Sequence, residues 1–278
     1  MKLILFFKED LVLKDVVILN HEWITAGVYK ILDDQTVIDN KGKFNLKDLE
    51  RILDDVDYKF NIREMISLMK NTKFDLCFEI GDGEYLVPRL LPVDEIEFEW
   101  STEGRSTKFE YKYKFMPKGI LTRLIVKMNR DISNNTYWRH GVVLEHENTK
   151  ALIREKYFEK KITIELIGPY RKEFLSIIRK AFNEIHSDFN KLKVDEMIPC
   201  ICKHCKVIDK PFYYSYNTLR RFELNKKYEI VCNLSLEDVS VLELTDNIIL
   251  DEVFASTKVI YCENKNAEVL NALKLEGV

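Results

Sequence analysis

Cys200-Ile-Cys202-Lys-His-Cys205 places three thiols within six residues, and Cys232 follows after 26 further residues. Three sulfurs this close can chelate one ion, and a distant fourth completes the tetrahedral thiolate set that holds zinc. Cys200, Cys202, Cys205 and Cys232 are therefore the candidate ligands of a structural zinc, which would pin this segment back onto its domain. His204 is a substitute ligand. The competing reading is a group of free thiols, the ordinary state of cysteine in a reducing cytosol. The C-x-C-x2-C spacing is also tighter at its start than the usual C-x2-C knuckle. Cys77 and Cys262 read as buried or incidental thiols.

The other constellations carry less chemistry. Gly81-Asp-Gly83 reads as a hairpin turn, because neither G-x-x-x-x-G-K-[ST] nor G-x-G-x-x-G occurs, and no nucleotide site is expected. His21, His140, His146, His186 and His204 are scattered, and no G-x-S-x-G or H-E-x-x-H is present. In Trp138-Arg139-His140-Gly141, Trp138 is expected to pack inward and Arg139 to meet a carboxylate of the acidic segment before it. His146-Glu147 reads as surface. No acid/base pair emerges, so no catalytic residue is named and the chain reads as a non-enzyme.

Hydrophobic spacing supplies the elements that would position the cysteines. Residues 3–7 and 16–19 read as two short strands, and Asn20 as the cap of a helix burying Ile24, Val28, Ile31 and Leu32. Asn45 starts a second helix, with Leu46, Leu49, Ile52 and Leu53 inward. Asn61 starts a third, with Glu64 completing a capping box. A hairpin follows, Phe74 to Ile80 turning at Gly81-Asp-Gly83 into Glu84-Tyr-Leu-Val. Three short helices closed by a hairpin is the order of a winged helix. Pro88 and Pro92 mark a boundary. Beyond it, Ile96, Phe98 and Trp100 alternate, as do Phe109, Tyr111, Tyr113 and Phe115, predicting an aromatic hairpin around Gly104. A helix from Gly119 carries Ile120 to Met128. Three strands (137–144, 151–157, 162–167) precede a long helix carrying Phe174, Ile178, Phe182 and Ile185. The fold class is thus α+β: a winged-helix-like subdomain at 1–92, an antiparallel-sheet α+β subdomain at 93–234 with a cysteine-rich segment, and a tail or the start of another domain at 235–278.

The chain has 278 residues, 46% apolar and 32% charged, which excludes a disordered or collagen-like polymer. No apolar run reaches the ~18 residues of a membrane helix, and the start lacks a secretory pattern, so a cytoplasmic protein is expected. The net charge of −3 hides strong asymmetry. From Glu79 to Glu103 eight acidic residues meet one basic, while residues 150–193 carry eleven basic to six acidic. Such a pattern suits self-association or docking to a charged partner. The rival function is a winged-helix nucleic-acid binder using Arg63, Lys70, Asn71 and Lys73, but the acidic second helix and Glu79, Asp82 and Glu84 would repel a duplex.

Several segments taken together resemble one family. His21-Glu-Trp-Ile-Thr-Ala-Gly-Val-Tyr-Lys-Ile-Leu, Phe74-Asp-Leu-Cys-Phe-Glu, Tyr85-Leu-Val-Pro-Arg-Leu-Leu-Pro92 and Phe115-Met-Pro-Lys-Gly-Ile120 look like the COR domain of Roco proteins. Trp138-Arg-His-Gly-Val-Val-Leu, Ile198-Pro-Cys-Ile-Cys-Lys-His-Cys and Leu236-Glu-Asp-Val-Ser-Val-Leu-Glu-Leu continue the likeness, from about residue 3 to residue 245. The resemblance implies a scaffold: COR follows a Ras-like GTPase domain, Roc, and its second half dimerises in a manner coupled to the nucleotide state of Roc. Expected partners are a second copy and a Roc domain in cis or in trans, with no membrane and no nucleic acid. Roc's P-loop and the first COR helices are absent here, so the expectation is a fragment, a split gene product or a late start codon.

Overall fold

The computed structural model describes residues 5–8, 10–14, 16–18, 21–100, 106–208 and 210–245. The predicted cap Asn20, the turn at Gly104, Cys262 and the tail beyond Thr245 lie outside them.

The first half starts with a two-residue pairing of β1 (Leu5–Phe6) with β2 (Val17–Ile18). Helix α1 (His21–Leu32) follows, then α2 (Gln35–Asp39), which periodicity did not predict. Asp34 caps α2 by accepting from Val37 N and also takes both Arg51 guanidinium nitrogens at 2.8 Å. Strand β3 (Lys43–Asn45) runs into α3 (Leu46–Ile52), where Asn45 accepts from Lys47 N and Asp48 N. Asp48 returns the bond to Asn45 N, a complete capping box. The box expected at α4 (Ile62–Lys70) does not form: Asn61 makes no side-chain cap bond, and its amide reaches back to Asp57 O instead. Strands β4 (Phe78–Gly81) and β5 (Glu84–Leu86) turn through Gly81, Asp82 and Gly83, all at positive φ. They join β3 in the order β3-β5-β4. Ile31, Val37, Phe44, Leu49, Met65 and Met69 fill the core beneath.

The second half is built on β6 (Ser106–Tyr113), α5 (Ile120–Lys127), β7 (Ile132–Trp138), β8 (Gly141–His146), β9 (Thr149–Lys156), β10 (Lys161–Ile167) and α6 (Arg171–Ser187). Strand β11 (Val194–Pro199), α7 (Lys203–Lys206), β12 (Tyr213–Ser215), α8 (Tyr216–Leu224), β13 (Glu229–Val231), β14 (Asp238–Ser240) and α9 (Val241–Thr245) complete it. Seven antiparallel strands order as β12-β11-β6-β10-β9-β8-β7. Alternation sorts the side chains: Phe109, Tyr111, Ile153, Ile162 and Ile164 face α5 and α6, which bury Leu121, Leu124, Phe174, Ile178 and Phe182 against them. Each such side chain stabilises the fold by about 1.5–3 kcal/mol.

Two expectations are corrected. Ile96, Phe98 and Trp100 do not pair with β6, whose ladder is taken by β10 and β11. They cross the other face of the sheet and cover Trp138, Val143 and Leu152, while Phe115 is 73% exposed. Residues 137–144 are not one strand either. Arg139 and His140 form a tight turn between β7 and β8, and Gly141 leaves room for the Trp138 ring lying over it. The outer strand β7 is irregular, its register shifting between Ile132 and Tyr137 where Asn134 and Asn135 adopt φ of 47° and 53°.

The halves interlock. Phe78, Leu86 and Leu91 belong to the same apolar cluster as α5 and the large sheet. Arg123 on α5 binds Asp75 at 3.0 Å and Asp188, at the end of α6, at 2.6 Å. Among the described residues Arg139 meets no carboxylate; its Nε donates to Leu91 O at 2.9 Å.

Candidate metal centre

The cysteines come from two chain segments that the fold draws together. Strand β11 ends at Pro199 and delivers Cys200, whose N–H donates to Phe212 O at 2.7 Å. Cys202 caps α7, a single turn, with its sulfur accepting from Cys205 N at 3.3 Å. Cys232 lies in the connection between β13 and β14, where its N–H bonds Glu237 O and its carbonyl receives Leu236 N. Leu236 takes a positive φ of 58° to close that turn.

The four sulfurs all lie within 4.8 Å of one another, and all four residues are buried. Cys205 Sγ and Cys232 Sγ are 3.6 Å apart, close to the edge of about 3.8 Å that a tetrahedron with ~2.3 Å Zn–S bonds requires. The surroundings suit thiolates. Cys202 N donates to Cys200 Sγ at 3.5 Å, Phe212 N to Cys205 Sγ at 3.4 Å, and Ser235 Oγ to Cys202 Sγ at 3.3 Å. The Tyr214 hydroxyl donates to Cys200 Sγ at 3.7 Å. Such donors orient ligand sulfurs and disperse their charge.

Proton affinities divide the cluster. Burial pushes the Cys200 thiol up to about 12, and it raises Cys205 as well. The Ser235 hydroxyl holds Cys202 below the ordinary thiol value. For Cys232, burial raises the value, but hydrogen bonds from Ser235, Leu234 and Cys205 outweigh it and bring it to about 6. Four desolvated sulfurs with thiolate-stabilising donors are a donor set that a soft, tetrahedral divalent cation satisfies. The residues fit a metal ion.

The four cysteines named from the sequence are the ones the fold brings together. The sequence did not identify Ser235, Phe212 N or Tyr214, since a hydroxyl or backbone donor near sulfur leaves no spacing signature. His204 is exposed. Cys77 is buried apart from the cluster, and its thiol is raised to about 12 by desolvation. Three other histidines have partners within the fold. Burial lowers His186 to about 4, and its neutral ring bonds the Tyr113 hydroxyl at 2.9 Å. His140 Nδ1 meets Glu155 at 2.8 Å, and His146 Nδ1 meets Asp131 at 3.1 Å. Among the described residues, no helix is long and apolar enough to cross a membrane.

Comparisons with known proteins bear on both halves. The family described as C-terminal of Roc, COR-A domain, matches residues 3–91, and C-terminal of Roc, COR-B domain, matches residues 104–247. A probable serine/threonine-protein kinase pats1 of Dictyostelium discoideum is 23% identical over 77% of this chain and 7% of its own length. A Roc-COR-CHAT protease of Runella zeae is 24% identical over 70% of this chain and 21% of its own. A solved structure of Methanosarcina barkeri Roco2 RocCORdC bound to GDP is 36% identical, covering 32% of this chain and 28% of that one, with a TM-score of 0.28. The chain thus spans about a fifth or less of the curated relatives it matches. With COR-A and COR-B matched in succession across most of its length, the chain belongs to the COR domain family of Roco proteins.

Proposed function

We propose that this chain is a non-catalytic COR scaffold that dimerises through its second half and works with a Roc GTPase domain in cis or in trans. The observation that carries the proposal is the succession of COR-A and COR-B matches on halves sharing one apolar junction. A junction closed by Phe78, Leu86 and Leu91 and tied by Arg123 suits a body that passes a displacement between a GTPase and a dimer interface. In this proposal residues 1–92 are the first subdomain, and the second starts at 93 and runs past the expected boundary at 234 to α9, whose Val241 and Leu244 join its core; both operate in the cytosol. The order α1-α2-β3-α3-α4-β4-β5, with sheet order β3-β5-β4, supports a winged-helix-like first subdomain.

Cys200, Cys202, Cys205 and Cys232 hold one structural zinc in this proposal. Their buried, thiolate-stabilising pocket supports that ion, which when bound would supply a rigid crosslink between β11–α7 and the β13–β14 turn.

Nucleic-acid binding is the weaker reading. Lys70, at the end of the would-be recognition helix, pairs with Glu79 at 3.0 Å, Asn71 donates to Asp10, and Lys73 lies over the Phe7 ring. Mass measurement at micromolar concentration, with elemental analysis of the same sample, tests the proposal. A dimer carrying about one zinc per chain is expected. A monomer at every concentration refutes the dimer, and zinc well below one per chain refutes the metal.

A further inference from the structure

One end of the large sheet carries an apolar and basic surface that neither the metal centre nor the junction uses. Phe158, in the turn between β9 and β10, is 98% exposed, and Phe115, just beyond β6, is 73% exposed. The chain crossings that present them are held together. Tyr113 N donates to Lys160 O at 2.8 Å, and Lys114 N donates to Lys193 O at 3.2 Å. Around the two rings stand Lys114, Lys118, Lys160, Lys191 and Lys193, all exposed. None of these five lysines pairs with a carboxylate among the described residues. Of the acids nearby, Glu159 meets Lys161 at 2.9 Å and Asp188 meets Arg123 at 2.6 Å, while Asp195 stands exposed two residues beyond Lys193. An open groove lined by Phe115, Lys118, Lys191 and Leu192 continues the surface inward.

Protruding aromatic tips ringed by unpaired lysines need an anionic partner that accepts apolar side chains. A second copy docked about a two-fold axis would set this patch against itself, lysine against lysine. A folded protein would need an acidic surface with a cavity shaped for each ring. A bilayer containing anionic phospholipid needs neither. Its headgroups attract the lysines, and its interface takes up rings wherever they project. We propose that the sheet end formed by Phe115, Phe158 and the five lysines docks this domain peripherally on an anionic phospholipid bilayer.

The test is co-sedimentation of the whole chain with phosphatidylcholine vesicles, with and without phosphatidylserine. Binding is expected only with phosphatidylserine and is expected to weaken as salt rises. Each of Lys160→Gln and Lys193→Gln should weaken it about fivefold, and joint Phe115→Ser and Phe158→Ser about tenfold or more. These exposed replacements leave the melting temperature unchanged, so a loss of binding is not a loss of fold. No binding to phosphatidylserine vesicles overturns the proposal. So does binding that survives loss of both rings, equal binding to single-stranded RNA, or self-association abolished by Phe158→Ser.

Discussion

At the scale of single residues, two hydroxyls and three backbone N–H groups aimed at the sulfurs distinguish a pocket fit for a metal from a chance gathering of thiols. Cys202 draws bonds from Cys205 N and Ser235 Oγ, so its charge is balanced before any ion arrives. Cys232→Ser should drop bound zinc to near zero, with the loss of a melting step on chelation by EDTA as the readout. Ser235→Ala should keep the metal and weaken its hold by about 10-fold or more, as removal of such supporting donors does. Asp34 gives a prediction in pH. The Arg51 guanidinium beside it holds its carboxyl below the usual 3.8, against the opposing effect of burial. A lowered carboxylate contributes stability that is complete above the unfolded value and is lost as pH falls through the folded one. Asp34→Asn keeps the helix cap but loses the ion pair. It should cost about 0.5–1 kcal/mol at pH 7, and the gap to the wild type should close below the usual carboxylate range, as followed by denaturant melts.

At the scale of elements, legibility followed length. Helices α1, α5 and α6 announced themselves because their apolar residues repeat over two or more turns. Helix α2 and strand β3, five and three residues long, are too short for any period to register. The β7–β8 hairpin was hidden for another reason. Its turn is Arg139-His140, without the Asn-Gly or Asp-Gly signature, and its conformational room comes from Gly141 beneath the Trp138 ring. Gly141→Ala should therefore destabilise the hairpin, by about 1–3 kcal/mol in a chemical melt. Alternation at Ile96, Phe98 and Trp100 was real, but it marked a cover over the back of the sheet, because β6 already has a neighbour on each side. The four clustered cysteines were legible since thiols are rare and their spacing is short. The pairing of Asp75 with Arg123, 48 residues apart, was not, because nothing local in a charged surface names its partner. Arg123→Met strands Asp75, which is 5% exposed and whose carboxyl burial already raises above its ordinary value. The expected cost is about 3 kcal/mol. A raised carboxyl favours the folded state below its unfolded value, and that advantage is lost as pH rises through the folded one. The deficit of the variant should thus grow from pH 4 upward in pH-stepped thermal melts.

At the scale of the whole molecule, the two halves have separate cores that meet along one seam. Because Phe78, Leu86 and Leu91 of the first half are buried in the second, neither half can unfold without exposing the apolar surface of the other. Calorimetry of the intact chain should record a single transition, and Arg123→Met should split it into two. The balance of acidic residues 79–103 against basic residues 150–193 also belongs to this scale, since the two segments meet where Glu95 pairs with Arg154 at 2.5 Å.

The irregular outer strand has a consequence for how copies can add up. A seven-stranded antiparallel sheet with a straight free margin would offer its unpaired amides to the next molecule, and that one to the next, without end. Asn134 and Asn135, turned into the left-handed region midway along β7, break the run of donors and acceptors at that margin. The opposite margin, β12, is only three residues long. The molecule can therefore meet partners through its side chains while refusing to polymerise through its backbone, a safeguard against fibre growth written into two asparagines.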